Sequence, residues 1–337
     1  MSYRLNLLSS YAYLTKQRSD YLPDLLAIAD RCNVLIDSGG FTDYWNSIKS
    51  AALGKTIKRI QVEDYIKFCH LVKDKVYGYI QLDKPRDPEA SKVLLQKQVD
   101  AGLNPMPVFV QGMEWEYLPE LMKINHKICV SAGWQSNAEY SYQRYQKAYK
   151  LTEGKIKSHA LAFGRYPQIL GLPIASADSS TWLDGGKYGR ILIFDKTSGF
   201  KGLSRDDVRK SFNTSKVSKV MGVLTNFGIT KEDLNDGMQW HINSNKGSIT
   251  QATHTFAFMQ AMKFIKLSSN IDYFIVIPGV SKSTYFGQLC AVLSSIQENG
   301  KLDYQMYKRE VGRMSTMNDQ QFAEYSRKAI GGFQSVK

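Results

Sequence analysis

Leu35-Ile36-Asp37-Ser38-Gly39-Gly40-Phe41 reads as a short apolar strand ending in a carboxylate, two glycines and an aromatic ring. Neither glycine carries a Cβ, so the backbone here can turn tightly and come close to a flat ligand. Asp37 can then handle a proton while Phe41 stacks on a purine-like ring. The same residues also suit an ordinary strand-to-loop turn, and the surrounding chain decides between the two readings.

Outward from this stretch, short apolar strands alternate with helical patterns, the signature of a parallel sheet with crossover helices. Strands are expected at 3–8, 34–36, 76–82, 108–110, 128–130, 159–163 and 174–177. Between them, Pro23 to Arg31 suits a helix, and Val62, Tyr65, Ile66, Cys69 and Val72 fall at helical spacing. Asp87 suits a helix N-cap with Pro88 at the first helical position, and that helix stops near Ala101-Gly102. A helix from Trp115 to Ile124 is expected next, then one carrying Tyr142, Tyr145 and Tyr149 as a stripe for core or surface packing. These strands number seven. An eighth, not assignable from the pattern, would close a (β/α)8 TIM barrel.

In such a barrel the site lies at the C-terminal strand ends, where Asp37, Asp83, Gln111, Gly133, Arg165 and Asp178 all fall. Beyond residue 190 the alternation gives way to Ile191 to Phe194, a basic helical stretch, an amphipathic helix near Thr253 to Ile265, and a strand from Tyr273 to Ile277. The expected organisation is an α/β barrel core over 1–190 and a basic, α-rich C-terminal elaboration over 191–337, packed on the barrel.

The chain has 337 residues, 43% hydrophobic and 22% charged, a normal balance for a globular protein. Its longest clean apolar runs are strand-sized, such as Phe274 to Ile277, far short of the roughly 20 residues a bilayer span needs. No membrane association is expected. The start, Met1-Ser2-Tyr3-Arg4-Leu5, lacks a signal-peptide pattern. The expected location is the cytoplasm, the host's for a phage-encoded protein. Cys32, Cys69, Cys129 and Cys290 are far apart, and the histidines at 70, 126, 159, 241 and 254 show no ligand spacing. Free buried thiols and no metal are expected.

Lysine plus arginine is 44 against 31 acidic residues, a net +13, which favours a polyanionic partner. Residues 187 to 219 concentrate the excess. Lys187, Arg190, Lys196, Lys201, Arg205, Arg209, Lys210, Lys216 and Lys219 stand there against Asp195, Asp206 and Asp207. This segment suits phosphate contacts.

Taken in order, Asp37-Ser38-Gly39-Gly40-Phe41, Asp83 after Tyr79-Ile80-Gln81-Leu82, Val110-Gln111-Gly112, the turn at Gly133, and Asp178 within Ala175-Ser176-Ala177-Asp178-Ser179-Ser180 resemble the tRNA-guanine transglycosylase superfamily. The resemblance covers residues 34 to 182. It implies a TIM barrel that exchanges a guanine in a polynucleotide for a 7-deazaguanine. It further implies Asp178 as nucleophile and Asp37 as general acid/base. Phe41, with Ser38, Gly39 and Gly40, would wall the base, and Asp83, Gln111, Gly112 and Gly133 would bind its edge.

The chain departs from the tRNA enzymes in three respects. It has no Cys-X-Cys-X-X-Cys zinc cluster, Thr42 stands where they have Gln, and Ser179-Ser180-Thr181-Trp182 replaces Pro-Thr-Arg. The compact, zinc-less form is similar to the phage and bacterial branch that inserts 7-deazaguanines into DNA.

The chemistry needs a carboxylate to form a glycosyl ester and a second group to shuttle a proton, with no ATP or redox cofactor. The base must leave the stack to be reached. The implied partners are DNA and a free 7-cyano- or 7-aminomethyl-7-deazaguanine, with Arg165 and His159 at phosphate or sugar. Rival readings are a tRNA substrate, a catalytically silent nucleic-acid-binding subunit, and an unrelated TIM-barrel hydrolase.

Overall fold

A computed structural model describes residues 4–14, 21–131, 138–183, 189–210, 215–236, 248–280, 282, 285–296 and 300–333. Its strands are β1 (Asn6–Ser10), β2 (Asn33–Asp37), β3 (Gly78–Tyr79), β4 (Val108–Phe109), β5 (Lys127–Val130), β6 (Lys157–Ala160), β7 (Ser176–Ser179), β8 (Arg190–Asp195), β9 (Gly199–Ser204) and β10 (Asp272–Ile277). The helices of the first half are α1 (Tyr11–Leu14), α2 (Tyr21–Ala29), α3 (Gly40–Ala52), α4 (Val62–Val72), α5 (Pro88–Asp100), α6 (Leu118–Ile124) and α7 (Ala138–Leu151). The second half carries α8 (Arg205–Lys210), α9 (Ser215–Asn226), α10 (Lys231–Asn235), α11 (Ile249–Ser269), α12 (Tyr285–Ser294), α13 (Tyr304–Ser315) and α14 (Asp319–Phe333).

Among the described residues, eight strands form one curled parallel sheet in the order β3-β2-β1-β10-β7-β6-β5-β4, and β8 and β9 pair antiparallel as a hairpin. The outermost strands of the sheet also meet. The Met106 N–H donates to the Tyr79 carbonyl at 2.8 Å, and the Gln81 N–H donates to the Met106 carbonyl at 3.0 Å. Pro105 and Pro107 flank Met106 and have no N–H to offer, so this contact is a single bridge and not a ladder. The buried Gln81 side chain reinforces the seam by accepting from the Val108 N–H at 2.8 Å and donating to the Ser91 carbonyl at 2.7 Å.

The eighth strand is β10. It lies between β1 and β7, so the sheet takes strands from both sides of residue 190. The expected N-terminal strand begins later, at Asn6, and the one expected over 76–82 shortens to Gly78–Tyr79 with the bridge at Ile80. The strand expected over 174–177 moves to Ser176–Ser179, which puts Asp178 on it.

Local chemistry explains the best-read helices. In α5, Asp87 accepts the Ala90 N–H at 3.0 Å with Pro88 in the first turn, so both the orphan donor and the helical φ are provided for. α4 buries Val62, Tyr65, Phe68, Cys69 and Val72 on one face, each large side chain contributing about 1.5–3 kcal/mol by transfer.

The structure sharpens the expectation for one helix and differs from it for another. In α7 only Tyr145 of the tyrosine stripe is buried, while Tyr142 and Tyr149 are exposed. α11 is not amphipathic at its start, since every residue from Ile249 to Met259 is buried; a helix enclosed on all sides loses the periodicity that an outer face would impose.

No helix among the described residues is long and apolar enough to cross a membrane. Cys32, Cys69, Cys129 and Cys290 are free and buried.

Candidate active site

A cavity of about 680 Å³ opens at the C-terminal end of the parallel sheet. All eight strands reach it, through Ser10, Asp37, Ile80, Val108, Ser131, Leu161, Asp178 and Val276, each on or just after its strand. Parallel strands deliver their ends to one side, so residues far apart in sequence converge there.

At one side stand Asp37 and Asp83. Asp37 closes β2 beside Ser10, its register partner on β1, and its Oδ2 accepts the Gly39 N–H at 3.0 Å. Burial raises its pKa to about 6, opposed by the neighbouring Ser10 hydroxyl, raised further by the Asp178 charge, and lowered by the Gly39 N–H. Asp83 is raised further, to about 7, first by burial and then by the charge of Asp37. Desolvation penalises the ionised form of each acid, and two nearby acids resist double ionisation.

Gly39 and Gly40 have a different task from the one expected. Gly39 takes φ 80°, and a Cβ on it would run into Ala12 of α1. A Cβ on Gly40 would sit 2.5 Å from the Asp83 carbonyl and 3.0 Å from its Oδ1. Their missing side chains therefore admit protein, seating the Asp83 loop against α3. Ser38 is fully buried and does not line the cavity, and its Oγ lies 3.4 Å from the Gly40 N–H it accepts. Phe41 does line it, 59% exposed, with its ring edge-on to Trp45.

Asp178 occupies the other side. Its Oδ1 accepts from the Ala162 N–H at 2.9 Å and pairs with His159 Nε2 at 3.2 Å, while His159 Nδ1 meets Ser176 Oγ at 2.8 Å. Ala162 takes a left-handed backbone, φ 52°, which an L-residue adopts only where its surroundings hold it. Among the described residues, Asp178 Oδ2 has no hydrogen-bond partner. One oxygen is tethered and the other is not.

The chain Ser176–His159–Asp178 follows from topology. His159 and Ser176 are register partners across β6 and β7, and Ser176 and Asp178 share a face because side chains alternate along a strand. His159 is fully buried, so the expected contact with phosphate or sugar is closed to it; it backs Asp178 instead. The serine hydroxyl can donate to Nδ1, which leaves Nε2–H to donate to the carboxylate.

Gln111 and Arg165 line the cavity, whereas Gly112 does not; with φ 98° it turns the chain against Pro88. Arg190, Lys196 and Lys201 are exposed on the β8–β9 hairpin, outside the cavity lining. That hairpin is tied to the cavity rim, since the Tyr166 hydroxyl donates to the Lys196 carbonyl at 2.5 Å. Gly133 and Lys187 lie outside the described residues, as do the side chains of Arg205, Arg209 and Lys210 on α8.

Sequence reasoning missed Ser10, Tyr13, Arg86 and Ser180 in the lining. Ser10, Tyr13 and Arg86 belong to no motif, Ser180 stood in one only as a neighbour of Asp178, and only the i, i+2 spacing of Ser176 and Asp178 hinted at a shared face. Among the described residues no cluster of His, Cys, Asp and Glu could hold a metal ion. No protein-family model matches the chain, and no curated protein matches it.

Proposed function

We propose that this chain is a DNA-guanine transglycosylase on a (β/α)8 barrel, exchanging guanine in DNA for a free 7-deazaguanine through a glycosyl-aspartate intermediate. The barrel reading is supported by the eight-strand order and by the Met106 seam joining its two outer strands. The observation that carries the function is the division of labour within one cavity. Asp37 has a pKa raised to about 6, suited to passing a proton near neutrality, and Asp178 has one oxygen tethered and one open.

In the first half-reaction Asp178 Oδ2 attacks C1′ as the C1′–N9 bond to guanine breaks, and Asp37 gives its proton to the departing base. In the second, Asp37 takes the N9 proton of the deazaguanine, whose nitrogen attacks C1′ and releases the Asp178 carboxylate. Atoms balance without a cofactor, and configuration at C1′ is retained through two displacements. The chain's own groups support each step: the Ala162 N–H and His159 steady Asp178, Phe41 offers a face for stacking, and Asp83 and Gln111 offer polar atoms to the base edge.

The test incubates the full chain with guanine-labelled DNA and a panel of free 7-deazaguanines, digests to nucleosides and identifies products by mass. A deazaguanine deoxynucleoside with released guanine is expected. Modification of tRNA but not DNA would move the substrate and keep the chemistry; no exchange in either polymer, with DNA still bound, would leave a silent binding subunit.

A further inference from the structure

The same cavity is electrically polar along its depth. Asp37, Asp83 and Asp178 sit at the strand ends, while Arg86 and Arg165 are exposed on the loops that follow β3 and β6 and line the mouth. A matching ligand offers hydrogen-bond donors at its inner end and negative charge at its outer end. The arginines belong to strands separated by β4 and β5 on one side and by β2, β1, β10 and β7 on the other. They therefore rise from different parts of the rim, an arrangement that suits two phosphates better than one.

Arg86 adopts a left-handed backbone at φ 66°. A non-glycine residue is held there only by its surroundings. Exposed Tyr13 and Phe41 stand at the same mouth and present ring faces for unstacked bases. Guanidinium groups suit phosphate because two N–H donors match two oxygens.

We propose that Arg86 and Arg165 hold the two phosphodiesters on either side of the nucleotide whose base enters the cavity. The ligand is thus an internal nucleotide of an unpaired or flipped strand, and neither a free nucleoside nor a chain end. The inference rests on the transglycosylase reading for the identity of the base, and on the cavity alone for the phosphates.

The experiment measures binding of a fluorescent single-stranded DNA oligonucleotide containing one guanine. A second oligonucleotide carries neutral methylphosphonate linkages on both sides of that guanine. Wild type, Arg86→Ala, Arg165→Ala and the double variant are compared, with thermal melting as the check on folding. Wild type is expected to lose about tenfold in affinity when the two linkages are neutralised, and the double variant to bind both oligonucleotides within about twofold. Its salt slope on the natural strand should fall by about 1.4, about 0.7 for each phosphate that an arginine no longer neutralises.

A double variant that still loses about tenfold on neutralisation, a wild type indifferent to it, or no binding of the natural strand overturns the clamp. Base exchange is read separately on the natural strand. Loss of the linkage effect with exchange intact removes the clamp alone, and a persisting linkage effect without exchange removes the transglycosylase reading while the clamp stands.

Discussion

The two sides of the cavity hold the same residue type in opposite circumstances. Around β2 and β3, burial raises Asp37 and Asp83 to about 6 and about 7, and the charge of Asp37 adds to the shift of Asp83. Around β6 and β7, Asp178 is buried too, yet a backbone N–H and a histidine hold one of its oxygens. Desolvation favours the neutral form of Asp37 and Asp83. On the proposed reading, the three carboxyls divide between proton handling and attack by their neighbours and not by residue identity.

The sharpest way to break this contrast is to remove the tethered acid. Asp178→Ala should lower base exchange by at least about a thousandfold, measured by product mass, while the fold survives. Removing the tether itself is the next step down. His159→Gln should lower kcat by about 10- to 100-fold with little change in KM, because the loss falls on the positioning of Asp178 and not on the bound base. An equal rise in KM with unchanged kcat would assign His159 to substrate binding.

On the other side, the acids are held by backbone fit. Gly40→Ala brings a Cβ to 2.5 Å from the Asp83 carbonyl and should destabilise by about 1–3 kcal/mol, read by denaturant unfolding. An effect of similar size, confined to higher pH, concerns charge. Asp83 has a folded pKa of about 7, above its ordinary value of 3.8, so the folded state binds more protons than the unfolded state between those limits. Stability from this group falls as pH rises from about 4 to about 7. Asp83→Asn should therefore gain about 1–3 kcal/mol over wild type at pH 8 and nothing at pH 3.5, measured by paired unfolding curves.

Much of this arrangement was legible from local pattern. Val34, Leu35 and Ile36 form an apolar run because a parallel strand is buried on both faces, and Asp87-Pro88 announces the start of α5. Strand-end polar residues marked Asp37, Asp83, Gln111, Arg165 and Asp178 correctly as cavity lining. What escaped was nonlocal. β10 enters the sheet only after the hairpin and several helices, so no spacing rule connects it to β1 and β7. The glycines looked like ligand contacts because sequence shows a missing Cβ and not what fills the space, which is Ala12 and Asp83. His159 looked like a phosphate contact for the same reason: its partner lies across a register that only the assembled sheet defines.

The most direct test of the division between the two sides is to trap the intermediate. The full chain is incubated with guanine-containing DNA in the absence of a deazaguanine, quenched in acid, digested and mapped by mass. The account predicts a deoxyribosyl ester on the peptide containing Asp178, with guanine released and no adduct in Asp178→Ala. An ester on the peptide containing Asp37 or Asp83, or guanine release with no ester anywhere, would contradict it.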